Sequence, residues 1–584
     1  MRSIVVSVAI LMISIVCCYF TYSYSLQFAL WLGIAASFVL TVFGILQSHR
    51  EPDRLLTLLA FTISMCIPSL FQTRPWGFIY PFNDSSLDLT LANLIRESGK
   101  WYPGMGFEVM KGYSLYPILH LWTALASNVT GLDTAVLARV FPFLAESLVT
   151  VFFYLALREI LSRELAIWSA LMYNLNGSWH FWEYFVREFI ALVFFSMCLY
   201  VVFRIYKSRE NRRTFLGLGV FMSFMTVSSH HWTSYNLVII FFVLAVFPMV
   251  YRQIHAWLMC RRIHVKSMIP SDRQRIITPL FMLITVIIMF SWTLYIAYSL
   301  FAIHLGEFAS FFANVITPSS SFVGHAMRGL AFELRLLLYL GYLVLGSLGL
   351  LEFVRQFFVR RQKSYEDAIL ESWFIFSGVY IFVGTFLLPS GGAWWVISWR
   401  SWVFAFFGLV PLAAKSIVRM QRWKPEARLT VRFKRLNNLK RLLPLILIFP
   451  LASAVLMAPP EIRVASYPHV DDSYYSTALW FRYNLPNETI ALDSWSSSVI
   501  IPYGRVSIFE SLKWPGGTTA FLDSVYQSAN SSNVRPPTWK IVVFNRDISE
   551  WMPTVLPNSS TLDQRYNRVY DSGSLATYVI TTHD

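Results

Sequence analysis

YPFNDSSLDLTLANLIRESGKW, residues Tyr80–Trp101, is the first sizeable polar stretch in a chain that is otherwise mostly apolar. It carries two carboxylates four residues apart, Asp84 and Asp88, followed by an amphipathic helical pattern that ends at Gly99. On a helix that begins by Asp84, positions i and i+4 share one face. An Asp or Ser just ahead of an apolar-periodic run also reads as an N-cap. That reading accounts for Asp84 or Ser85 and leaves Asp88 unexplained.

The surroundings of this stretch set the fold class. Of 584 residues, 56% are hydrophobic and 14% charged, and the mean hydropathy is +0.51. That balance excludes an ordinary soluble globule. Before the stretch lie apolar runs at 4–22, 26–46 and 55–71. After it come runs at 134–157, 165–180, 188–206, 214–231, 234–252, 276–300, 333–355, 369–388, 397–418 and 441–459. Each approximates the length that crosses a bilayer as a helix, so the expectation is a polytopic α-helical membrane protein with about 13 transmembrane helices. The first run reads as a retained helix, because it is long and no A-x-A cleavage site follows it; a signal peptide, with YSYS supplying small residues near its end, is the alternative. Within the polar loop 72–133, Leu115–Ala126 is too short to cross. It reads as a helix at the membrane interface, with Tyr116, His120 and Trp122 at headgroup depth.

The net charge of +15 does not point to nucleic acid. Lys and Arg collect in alternate loops: Arg158 and Arg163; Arg204 to Arg213; Arg252 to Arg275; Arg355 to Lys363; and above all Lys415–Arg441. The loops between them hold few, so the positive-inside rule places the N-terminus in the cytoplasm and the 72–133 loop outside. Five cysteines lie in or beside apolar runs, with no disulfide or metal-type spacing. Residues 1–459 thus read as a membrane domain, with 72–133 its first external loop. Residues 460–584 are polar and turn-rich. SYYSTALWFRYNL and TAFLDSVYQSA read as helices, and TIALDS, VSIFE, KIVVFNR and LATYVITT as strands. They imply a small extracytoplasmic α/β domain. Sequons at Asn83, Asn128, Asn176, Asn487, Asn530 and Asn558 fall on the outer side or its edge.

Sorting polar residues by side gathers a set on the outer face. Asp84 and Asp88 lie in the first outer loop. The second outer turn, NLNGSWHFWEYFVREFIAL, brings Glu183, Arg187 and Glu188 to the start of a span. A Glu and an Arg there require a partner or a wet cavity, or else act as an interfacial anchor pair. His230 and His231 occupy the next outer turn; as neighbours on a helix they would face different ways and chelate poorly. The last, PSGGAWWVISWRSW, sets Arg400 among tryptophans that include Trp399. A lone Arg at the outer end of a span suits a phosphate, as it would a lipid headgroup. Carboxylates with such an Arg suit a lipid-linked phosphate donor. The carboxylates would bind a divalent ion (Mg or Mn) or take a proton from an acceptor, and Arg400 would hold the leaving phosphate.

These segments resemble the membrane-embedded C-type glycosyltransferases, which use polyprenyl-phosphate-linked sugars. The first external loop of that family has an acidic residue, an amphipathic helix and a Gly about fifteen residues on, as in NDSSLDLTLANLIRESG. The segment from YPILHLW to the Arg and Pro that open the next span is similar to the section that follows in the family. Glu183 or Glu188 matches its second acidic region, and ISWRSWVFAFFGLVPLAA its late Arg segment. Distant similarity extends to oligosaccharyltransferase catalytic subunits and protein mannosyltransferases. The oligosaccharyltransferase WWDYG motif is absent, with SWSSSVIIPYG near its expected place. The resemblance implies a glycosyltransferase that moves a sugar from a polyprenyl-phosphate or polyprenyl-pyrophosphate donor to an external protein, lipid or glycan acceptor at the cell membrane. Asp84, Glu188 and Asp88 are its catalytic candidates, with Asp84 also a possible metal ligand. Arg400 and Arg187 would bind the donor phosphate, and Glu183, His230, His231 and Trp399 would contact donor or acceptor. An oligosaccharyltransferase-like enzyme and a non-enzymatic transporter or flippase are the alternatives. The second of these would need internal repeats and charges at mid-membrane, and the sequence shows neither.

Overall fold

The computed structural model describes residues 2–24, 27–72, 83–105, 111–175, 185–207, 211–260, 279–302, 305–306, 332–358, 365–387, 392–422 and 472–484, and five strands between 489 and 579. The helices are α1 Arg2–Tyr24, α2 Gln27–Gln47, α3 Glu51–Gln72, α4 Asn83–Ser98, α5 Lys111–Ser114, α6 Ile118–Thr130, α7 Thr134–Ile160 and α8 Arg163–Tyr173. They continue as α9 Arg187–Lys207, α10 Arg212–Ser229, α11 His231–Cys260, α12 Pro279–Tyr295, α13 Phe332–Phe358, α14 Tyr365–Leu387, α15 Gly392–Arg422 and α16 Asp472–Asn484. Each predicted apolar run within the described residues is a helix, with ends shifted by a few residues. The run at 441–459 and the helix expected from TAFLDSVYQSA lie outside them. Among the described residues, four helices are long and apolar enough to cross a membrane: parts of α1 and α11, and all of α7 and α9.

The chain divides into two compact units. One comprises Met1–Ile67, Phe143–Glu183 and Glu188–Arg463; the other Pro68–Pro142, Tyr184–Arg187 and Val464–Asp584.

The core of the first unit is aromatic. The Phe407 ring on α15 lies 4.8 Å from Phe153 on α7, 4.6 Å from Tyr173 on α8 and 5.2 Å from Phe195 on α9, all within the range of favourable ring pairing. Next to it, Gly408 lets α15 approach α14. A Cβ at Gly408 would stand 2.5 Å from Trp373 Cδ1 and closer still to Ser377 Oγ, the small-residue device of membrane helix packing.

Ion pairs join the helix ends that the charge pattern assigns to one side. Glu51 on α3 pairs with Arg158 on α7 at 2.8 Å and Arg163 on α8 at 3.1 Å. Glu159 pairs with Arg204 on α9 at 3.1 Å, and Tyr206 donates to Glu366 on α14 at 3.4 Å. Asp367 pairs with Lys415 on α15 at 2.7 Å, and Arg419 lies 3.7 Å from Glu352 on α13. The more exposed of these pairs add little stability. Their value is geometric: they bring seven helix ends of this unit together.

In the second unit, α4 and α6 pack together. Leu87 and Leu91 cluster with Leu94 and Tyr113, and Ile95 with Met105, Ala124, Leu94 and Trp101. Each helix ends at a glycine with left-handed backbone, Gly99 (φ 66°) and Gly131 (φ 72°). The strands β1 Thr489–Leu492, β2 Ser507–Glu510, β3 Ile541–Asn545, β4 Asn567–Asp571 and β5 Leu575–Val579 form one sheet. Its order is β2-β1-β3-β5-β4. The first three strands are parallel, while β5 runs antiparallel to both β3 and β4. Four of these strands are the four read from the sequence. The fifth, β4, is not legible there, because a register shift between Arg568 and Tyr570 breaks the period-two alternation.

Candidate active-site framework

The helix α4 contains both Asp84 and Asp88. Asp84 sits in its first turn, and its side chain lies outside the described residues. Ser85, the other capping candidate, is buried, and its Oγ has no hydrogen-bond partner among the described residues. It therefore does not cap the helix.

Asp88 is fully buried and faces two hydrogen-bond donors and one guanidinium. Its Oδ1 lies 2.8 Å from His120 Nε2 and 3.0 Å from Arg187 Nε. Its Oδ2 accepts the backbone N–H of Arg187 at 3.3 Å. That N–H belongs to the first residue of α9, where amides lack an intrahelical partner. Asp88 thus takes up an amide that the helix itself leaves unpaired. The Arg187 guanidinium lies over the Tyr113 ring, 4.1 Å from its centroid, and Nη1 donates to the Tyr113 carbonyl at 3.2 Å. One knot therefore ties α4, α5, α6 and the first residue of α9.

Charge decides the state of His120. Arg187 already balances the Asp88 carboxylate, so an imidazolium would add an uncompensated buried charge. Burial, the largest influence, pushes the His120 pKa below its ordinary value, outweighing the pull of Asp88. Nε2 carries the proton given to Asp88, and Nδ1 has no hydrogen-bond partner among the described residues.

His120 and Tyr116 are both buried against protein. The buried face of α6 is Leu119, His120, Thr123, Ala124 and Ser127. A second apolar row, Leu121, Leu125 and Val129, is exposed at a spacing of four. An exposed apolar row is what a helix lying on a membrane surface requires. Trp122, half-buried, meets Phe141 at 5.4 Å.

In the other unit, Glu188 is buried in the first turn of α9, with Oε1 3.0 Å from His230 Nε2. His230 is not helical. Its extended backbone (φ −161°, ψ 131°) ends α10 and precedes α11. Its Nδ1 accepts the Thr233 backbone N–H at 3.4 Å, so in the neutral ring the proton sits on Nε2, facing Glu188. The His231 ring stands 4.6 Å from that of His230. The two rings are therefore in contact, although as helix neighbours they are expected to face different ways. The break in helical conformation at His230 is what permits this.

Trp399 and Arg400 belong to α15, with side chains outside the described residues, and Glu183 lies wholly outside them. The structure thus joins Asp88 to Arg187 and Glu188 to His230. Tyr113 and His120 enter the framework without having been chosen from the sequence. The signal for His120 is its place on the Leu119–Thr123 face, opposite a fully apolar row.

Among the described residues, no three His, Cys, Asp or Glu side chains gather to hold a metal. Asp88 does not fit that role either, since a guanidinium, an imidazole N–H and a backbone N–H already occupy its oxygens.

Comparison with known proteins supplies the fold. No family model matches the sequence, and no curated protein matches it. Solved structures do. The apo oligosaccharyltransferase of Archaeoglobus fulgidus superposes with TM-score 0.53 at 12% identity, over 92% of this chain and 75% of that one. This chain has the fold of the membrane C-type glycosyltransferases. The same archaeal enzyme, AglB, with an inhibitory peptide and a dolichol-phosphate gives 0.52 at 14% identity, over 91% of this chain and 75% of that one. Its form tethered to an acceptor peptide containing the NVT sequon gives 0.50 at 14%, over 90% and 74%.

Proposed function

We propose that this protein is a membrane glycosyltransferase that moves a sugar from a polyprenyl-phosphate or polyprenyl-pyrophosphate donor to an acceptor at the extracytoplasmic face. The observation that carries this reading is the fold it shares with an enzyme whose structure holds a dolichol-phosphate. The sequence adds carboxylates at the starts of α4 and α9 and Arg400 on α15. In this reading about thirteen spans form the membrane domain 1–459, with a cytoplasmic N-terminus, and 460–584 form an extracytoplasmic domain.

Asp84 is the first candidate for the group that takes the acceptor's proton, or for a metal ligand; Glu188 is the second. As the acceptor attacks the anomeric carbon, the bond from that carbon to the phosphate oxygen breaks. The negative charge left on the phosphate is held by Arg400. The absence of WWDYG argues against sequon reading of the oligosaccharyltransferase kind, so the acceptor is assigned only as external.

The test uses the purified protein in lipid nanodiscs with radiolabelled polyprenyl-phosphate and polyprenyl-pyrophosphate sugars. Wild-type protein is expected to transfer label from one of them. Asp84→Ala and Arg400→Ala are each expected to lose about 100-fold or more, as removal of a transition-state partner does. Near-normal transfer by either variant removes that residue from the mechanism. Activity that survives chelation removes the metal-ligand role of Asp84.

A further inference from the structure

We propose that His120 is a positioning residue for glycosyl transfer: it holds Asp88 in the orientation that fixes Arg187, the residue joined through the chain to Glu188. This rests on the transferase reading above.

Asp88 and His120 are both fully buried, so neither meets a substrate in this arrangement. Their geometry is that of a clasp. His120 Nε2–H and Arg187 Nε converge on one Asp88 oxygen at 2.8 and 3.0 Å. The other oxygen is thereby turned to the Arg187 backbone N–H, 3.3 Å away. Arg187 is in turn held by Tyr113, whose ring centroid is 4.1 Å from the guanidinium carbon and whose carbonyl accepts from Nη1 at 3.2 Å. The next residue in the chain is Glu188, a candidate reacting carboxylate.

Without the imidazole donor, Asp88 keeps its ion pair with Arg187 but loses the contact that sets its torsion. Arg187 is then free to shift, and with it the residue bonded to it. A displacement of about 1 Å at a reacting group costs on the order of 100-fold in rate without any loss of binding. A neutral N–H donor of similar reach is all the position demands, because Arg187 already supplies the counter-charge.

The test compares His120→Leu, which fills the site without a donor, with His120→Gln, whose amide N–H replaces Nε2–H. Both are assayed in nanodiscs with the polyprenyl-linked sugar donor that the wild type uses. His120→Leu is expected to lower kcat by about 100-fold with donor KM within roughly twofold. His120→Gln is expected to restore kcat to within about tenfold of wild type. Exchange of the Arg187 amide is expected to accelerate in His120→Leu and to stay slow in His120→Gln.

A wild-type kcat in His120→Leu overturns the proposal. So does a rise in donor KM with kcat unchanged, or a Gln variant as impaired as the Leu variant. If the wild type transfers sugar from no donor, the transferase reading fails. The exchange measurement then decides the clasp alone, and unchanged exchange in His120→Leu overturns it.

Discussion

Asp88→Asn is the sharpest test of the framework. The change keeps the side-chain volume and removes the charge. The Arg187 side chain is 12% exposed and the Asp88 side chain fully buried, so the variant leaves a guanidinium with little water and no carboxylate opposite. Breaking a buried pair from one side costs about 3–5 kcal/mol. The slight exposure of Arg187 and its contact with Tyr113 favour the lower end, near 3 kcal/mol. The internal control is Arg96–Asp133, which joins the same α4 region at 3.7 Å with side chains 29% and 59% exposed. Removing that pair should cost at most about 1 kcal/mol. Hydrogen exchange of the amides Leu89–Ile95 in α4 reads both. At 1.4 kcal/mol per factor of ten, Asp88→Asn should speed their exchange by roughly 100-fold or more, and Arg96→Gln by less than about tenfold. Pairing Asp88→Asn with Arg187→Gln should recover part of the loss, since the double variant no longer buries a lone charge. If Asp88→Asn exchanges no faster than Arg96→Gln, or the two substitutions simply add, the buried pair does not organise these helices.

The lowered pKa of His120 has a sign that can be checked. Protonation favours the opened state, so the stability of the α4–α6 pair should be undiminished above the ordinary histidine value of 6.5. It should fall as the pH drops from there through the folded pKa, and His120→Gln should remove that acid-side loss in exchange measured across pH 5–7. Gly99→Ala should destabilise α4 by about 1 kcal/mol through backbone strain alone, because its φ is 66° and an added Cβ meets nothing within 4 Å. Gly408→Ala acts the other way, by collision with Trp373 and Ser377. It should lower thermal stability in nanodiscs by about 1–3 kcal/mol or more, and a wild-type melting temperature would refute the close approach of α14 and α15.

Much of this molecule is written in its sequence, because a bilayer imposes rules that are local. The apolar runs predict the helices, since a spanning segment must satisfy its own backbone hydrogen bonds. Loop charge predicts which helix ends share a side, and the pairs from Glu51 through Glu159 and Asp367 to Glu352 join those ends. Glycines at 99 and 131 mark helix ends because their backbone is left-handed there. Asp84 and Asp88, by contrast, look equivalent in NDSSLDL, as do His230 and His231 in SSHHWTS. Only the tertiary structure separates them. It seals Asp88 under His120, Arg187 and Tyr113, residues 32, 99 and 25 positions along the chain, and it breaks the helix at His230 so that this ring turns to Glu188. Sequence periodicity reports which face of a helix is apolar. It does not report which distant cation will neutralise a buried carboxylate, because that pairing depends on how the helices are stacked.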